Sequence, residues 1–176
     1  MGSLKFIVVL LLLSCTGSAF SQQEEAIPWD PNLRLQWSDF KAKPIEGSKV
    51  AATTASGLSY EFSAEESNGK IELDYTVNSY FYPKKSWYKP KICDDVILSH
   101  EQLHFDISEL FARKMRQKME TTTFTTNVKA EVKAIYRQII KELSEFQQLY
   151  DNETNYSRNV EQQLSWNREI QEALGK

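Results

Sequence analysis

Cysteine is almost missing from this sequence, with two in 176 residues. One of them, Cys15, sits in an amino-terminal segment that reads as removable, which leaves Cys93 without an intramolecular partner and excludes a disulfide framework. Stability must then rest on a packed core, with a bound metal as the other available support. Long apolar runs are lacking too: the longest, Phe6 to Leu13, is too short to span a bilayer, so the mature chain is expected to carry no transmembrane segment. There is no excess of positive charge, with 21 Lys and Arg against 24 Asp and Glu and a net charge of −3, and nucleic acid is not expected as a partner. No internal repeat or low-complexity tract is visible. Histidine is as scarce as cysteine, again two residues, but their placement is informative.

What is present begins with Lys5 followed by Phe6–Leu13, the charged and apolar regions of a secretory signal, and Ala19-Phe20-Ser21, a small-x-small cleavage pattern. Residues 1–21 are therefore expected to be a signal peptide. Leu12-Leu13-Ser14-Cys15 offers a competing reading as a lipobox, with a lipid anchor on Cys15. Both readings export the protein, one as a periplasmic or secreted molecule and the other tethered to a membrane. Removal of the signal loses only Lys5, leaving 20 basic against 24 acidic side chains and a net charge of −4. About 155 residues remain, enough for one domain and no more.

Residues 22–32, with Pro28 and Pro31 bracketing Trp29-Asp30, read as an extended lead-in to a single domain at 33–174. Leu33, Leu35 and Trp37 alternate with polar residues and suggest a short strand. Leu58, Tyr60 and Phe62, then Ile71, Leu73, Tyr75, Val77 and Phe81, give two half-buried strands, and Asn68-Gly69 between them suits a hairpin reversal. Val50 to Ala55 extends the first of these strands or adds another. After Pro90 the apolar period lengthens: Val96, Leu103, Ile107, Leu110, Phe111 and Met115 predict a helix over about 95–119, opened by Asp94 and Asp95. Asn127 is placed to cap a second helix carrying Val128, Val132, Ile135, Tyr136, Ile139, Leu143, Phe146 and Tyr150. A polar loop is expected at 151–157 and a last helix at about 158–174, presenting Val160, Leu164, Ile170 and Leu174. Strands first and helices after make an α+β fold, a small antiparallel sheet with three helices.

His100-Glu101-Gln102-Leu103-His104 is H-E-x-x-H inside the first helix. Residues four apart lie about 40° apart around a helix and one turn along it. Both imidazoles can therefore reach one Zn²⁺, while Glu101, one step round, can act as general base on a water at the same ion. This is a zincin-like active-site helix, and peptide or protein is the expected substrate. The nearest acids on this helix cannot complete the site, because Asp106 is about 200° from His104 and Glu109 about 180° from His100. The third ligand must come from elsewhere, with Glu131, Asp151, Glu153 and Tyr156 as candidates. Tyr80 to Lys91 interleaves aromatics with lysines and reads chiefly as rings covering the core beside a solvated turn. Tyr75–Tyr82 is the expected substrate-side strand.

His100 to Asp106, H-E-Q-L-H-F-D followed by Ile107, resembles the active-helix signature of a bacterial family described as predicted secreted zinc-dependent proteases and catalogued as a domain of unknown function. Leu35-x-Trp37-x-Asp39-Phe40, Ser86-Trp87, Tyr150-Asp151-x-x-Thr154, Gln163 and Trp166 extend the similarity over nearly all of the mature chain. The resemblance implies a zinc peptidase. It also implies a histidine two residues after Thr154 as third ligand, where this chain has Tyr156; a phenol gives up its proton to a metal less readily at neutral pH than imidazole coordinates it. Tyr156 or Asp151 then substitutes, or water fills the position and metal affinity drops, or the fold survives as a catalytically degenerate module binding a cell-envelope ligand.

Overall fold

The computed structural model describes residues 25–176; the expected signal peptide and Cys15 lie outside the described residues. In chain order the elements are β1 (Ile27–Pro28), β2 (Ala52–Thr53), β3 (Ser56–Ser67), β4 (Lys70–Phe81), β5 (Trp87–Tyr88), α1 (Asp95–Glu120), α2 (Val128–Glu153) and α3 (Val160–Leu174). β3 and β4 form an antiparallel hairpin from Ser56↔Phe81 to Ser67↔Lys70. Its two-residue turn puts Asn68 at φ 52° and Gly69 at φ 73°, the positive-φ pair that a tight turn matching strand twist requires. β1 adds to the other side of β4, and β2 pairs with β5 in a separate two-stranded sheet. The arrangement is α+β, as the order of periodicities predicts.

α1 lies at the centre, packed against the hairpin on one side and against α2 and α3 on the other. Its N-terminus is capped by Asp94, whose side chain accepts from the Ile97 amide at 3.0 Å. Leu103, Ile107, Phe111, Met115 and Met119 join Leu58 and Val77 of the hairpin and Val132, Ile139, Leu143, Tyr150, Trp166 and Ile170 of the other helices in one core. Leu35, Phe40, Phe81 and Phe105 form a second, smaller cluster, and Trp29 packs against both. Two buried acids of α1 are spent on holding the layers together. Glu109 accepts from Ser79 of β4 and from Arg113 and Arg116, while Asp106 accepts from Trp29 Nε1 at 2.7 Å and from Lys176 Nζ at 2.9 Å.

Several expectations need correction. Residues 33–37 form no strand: Leu35 is buried as the alternation says, but its amide donates to the Gln102 side chain at 2.8 Å, so the segment lies on α1 instead of in a sheet. Period two reports which face is buried, not what the backbone pairs with. Residues 25–32 are extended but built into the fold, through β1 and the Trp29–Asp106 bond. Asn127 makes no side-chain cap; Glu131 instead accepts from the Thr125 amide and hydroxyl. α3 turns a different face inward, burying Gln163, Trp166, Ile170 and Leu174 and leaving Val160 and Leu164 about half exposed. Between Tyr80 and Lys91 the rings do cover the core, with Trp87 buried, Tyr88 stacked on Trp37 at 4.5 Å, and Lys84 and Lys85 exposed.

Candidate metal centre

The first half of α1 carries His100, Glu101 and His104 on its face toward α2 and α3. Residues 96–108 are helical throughout, so the spacing delivers both imidazoles to one place, with the His100 and His104 Nε2 atoms 3.3 Å apart. The third donor is Asp151. Its Oδ1 lies 3.0 Å from each Nε2. Asp151 reaches them because α2 does not stop where a polar loop was expected but continues to Glu153, which holds the carboxylate on a rigid element. Asp106 and Glu109 point away, as helical geometry requires, and Glu131 is occupied at the start of α2. Glu153 is turned to α3, accepting from Trp166 Nε1 at 2.8 Å.

Three donor atoms with separations of 3.0–3.3 Å match the edges of a tetrahedron whose bonds are about 2.0–2.1 Å long, which are about 3.3 Å. His100, His104 and Asp151 could therefore hold one metal ion. Around Asp151 the charges agree with this. Burial pulls its carboxyl up, but hydrogen bonding and charge from His100 and His104 outweigh burial and leave it below the ordinary range. It is a carboxylate that only accepts.

The ring of His100 is fixed by a chain of neighbours. Its Nδ1–H donates to Gln163 Oε1 at 2.9 Å, and the Gln163 amide nitrogen is spent on Asn167 Oδ1 at 3.0 Å, with Asn167 in turn bonded to Ser99. The Gln163 acceptor thus commits Nδ1 and leaves Nε2 as the ring atom directed at Asp151 Oδ1, 3.0 Å away. Tyr150 stacks on the His100 ring at 4.5 Å and donates to Gln163 Oε1 at 2.8 Å. Burial pushes its phenol far above the ordinary range, so it remains a donor.

Glu101 stands beside the triad and outside it. It is 5% exposed, and its Oε2 is buried with no hydrogen-bond partner among the described residues. A buried carboxylate oxygen left unpaired costs about 1–3 kcal/mol or more, and such an atom signals a ligand or water in the working state. Its backbone carbonyl accepts from Thr54 Oγ1 at 3.2 Å, which ties α1 to the segment after β2.

These groups line an open cleft of about 730 Å³. Residues 49–54 form one wall; Ser144, Gln147 and Gln148 of α2 and the turn Tyr156–Arg158 form others. Tyr75–Tyr82 does not line it: the inward side chains of β4 are consumed by the core, so the strand beside the site is β2. Tyr156 lines the cleft but is 46% exposed. Asn155, Tyr156 and Ser157 all adopt left-handed backbone, with φ of 49°, 53° and 70°, a conformation costing about 1–2 kcal/mol per non-glycine residue, least for Asn.

Compared with known proteins, residues 40–158 match a family described as a bacterial protein of unknown function (DUF922). The chain belongs to that family. No curated protein and no solved structure matches it. The matched region runs from the Phe40 cluster through α1 and α2 to the turn at Arg158, and so contains all three converging donors and Glu101, while Gln163 lies beyond it.

Sequence reasoning missed the parts that orient the site. Tyr150 reads as one more apolar position on the α2 stripe. Gln163 had a signal: it is a polar residue in register with Trp166, Ile170 and Leu174, and an amide on a core face must have a buried partner.

Proposed function

We propose that this protein is an exported zinc-dependent hydrolase, a metallopeptidase, in which His100, His104 and Asp151 hold the metal and Glu101 is the general base. One observation carries the reading: three donor atoms converge at tetrahedral spacing directly beside a buried, unpartnered Glu101 carboxylate oxygen. Held by these three residues, zinc would supply Lewis acidity and make a nearby water more acidic. Glu101 takes the proton of the attacking water and returns it to the leaving amine. Asp151 balances the metal's charge, and Gln163 and Tyr150 keep the His100 lone pair aimed at it. Two histidines and a carboxylate also suit iron(II), but a free carboxylate beside the three donors is what hydrolysis needs.

A peptide substrate is supported by β2. Its hydrogen-bonded neighbour among the described residues lies on one edge only, and its residues line the cleft, so an extended chain can add along the free edge. Export is supported by Lys5, the apolar run Phe6–Leu13 and Ala19-Phe20-Ser21, and the likeness to predicted secreted zinc-dependent proteases agrees with both halves of the reading.

The test is elemental analysis of gently purified protein together with hydrolysis of an unfolded protein substrate by wild type and Glu101→Gln. One zinc per chain in both proteins, with turnover lost in the variant, is the expected result. Turnover retained by Glu101→Gln removes the base, and zinc near zero with no turnover favours the degenerate binding module.

A further inference from the structure

The least expected backbone in the molecule is the turn between α2 and α3, where three consecutive residues without a glycine are left-handed. Strain of this kind persists only where the surroundings over-determine it, and it concentrates at functional sites. Here the surroundings are specific. Thr154 is fully buried with its hydroxyl on the Tyr150 carbonyl at 2.7 Å, the Asn159 amide closes the turn onto the Thr154 carbonyl at 2.8 Å, and the Tyr156 amide donates to the carbonyl of Asp151 at 2.8 Å. The residue that supplies the third donor therefore also fixes the backbone of Tyr156. Tyr156 lines the cleft, and its hydroxyl has no partner among the described residues. Two other donors of the cleft are committed, Thr54 Oγ1 to the Glu101 carbonyl and Gln147 Nε2 to the His104 carbonyl at 3.1 Å.

We propose that Tyr156 is a catalytic residue whose O–H donates to the substrate carbonyl oxygen as that oxygen gains negative charge, and that the left-handed turn exists to hold it there. The inference rests on the peptidase reading. In the step concerned, the water oxygen bonds to the carbonyl carbon, its proton passes to Glu101, and the C=O π pair moves onto the oxygen that Tyr156 meets. Collapse of that species breaks the C–N bond, and the nitrogen takes the proton from Glu101. A donor placed at the developing charge stabilises the transition state more than the bound substrate. Tyr156 is thus a donor to substrate and not a metal ligand.

The experiment compares zinc-loaded wild type and Tyr156→Phe on one peptide amide, with a phosphinic peptide as tetrahedral mimic and copper(II)-loaded protein for spectroscopy. The expected result is a fall in kcat of roughly 10- to 100-fold, KM within about twofold, and phosphinic-peptide affinity weakened by a similar factor. Copper-loaded wild type should show no tyrosinate-to-copper absorption band. Unchanged kcat in the variant overturns the inference, and so does a band in wild type that Tyr156→Phe abolishes, which makes Tyr156 a ligand. A rise in KM alone reduces it to a wall of the cleft. Active wild type with any of these results leaves the peptidase reading standing, whereas inactive zinc-loaded wild type sinks both.

Discussion

Replacing Asp151 by Ala separates the observed triad from the ligand set that the family resemblance implies. The substitution removes one of three donors and leaves the two Nε2 atoms 3.3 Å apart. Structural zinc sites with four ligands bind with about 10–16 kcal/mol at neutral pH, or roughly 2.5–4 kcal/mol per ligand. Asp151 is partly exposed, with its side chain 28% accessible, so water can enter the vacated position and recover part of that. About 2.7 kcal/mol remains as the expected loss, or about a 100-fold weaker Kd. Alanine is a good helix former and the Asp151 carbonyl that receives the Tyr156 amide is untouched, so the turn should survive. Competition against a chromogenic chelator measures the zinc affinity directly, and is preferable to thermal melting because the variant also changes the metal-free protein. Asp151→Ala within about threefold of wild type would show that the three-atom convergence does not bind metal. If Tyr156→Phe instead produced the large loss, the third ligand would be Tyr156, at the position where the resemblance implies a histidine.

Three further outcomes are expected. Gln163→Leu, which removes the acceptor for His100 Nδ1 at a fully buried site, should weaken zinc roughly 10- to 100-fold, read by the same competition, and unchanged affinity would remove Gln163 from the site. Metal-free Glu101→Gln should melt at or above wild type, because it exchanges a buried carboxyl group with an unpartnered oxygen for a neutral amide of the same shape, which costs less to bury; a clearly lower melting temperature would mean that the oxygen has a partner in solution. Gly69→Ala should cost about 1 kcal/mol in denaturant titration, since φ there is 73°, while zinc affinity stays unchanged because the turn lies at the tip of the hairpin, outside the cleft.

Much of this molecule is legible in the chain. The hairpin follows from strict alternation around Asn68-Gly69, because a half-buried strand and a two-residue turn each have a local chemical signature. α1 follows from its apolar period and the Asp94 cap, and within it H-E-x-x-H fixes the relative placement of His100, Glu101 and His104, since four residues of helix always return to nearly the same direction. Local periodicity also excluded Asp106 and Glu109, which the fold uses elsewhere. Tertiary structure decided the rest. Whether Asp151 ends a helix or begins a loop depends on α2 packing along α1 as far as Glu153, and that packing is what carries its carboxylate to within 3.0 Å of both imidazoles. The orientation of His100 by Gln163 and the pairing of β2 with β5 join segments distant in the chain, and the left-handed turn at Tyr156, though closed by local hydrogen bonds, has no glycine to mark it. Spacing in a sequence dictates geometry only within one rigid element, and a site assembled from three helices and a strand is set by how their buried faces meet.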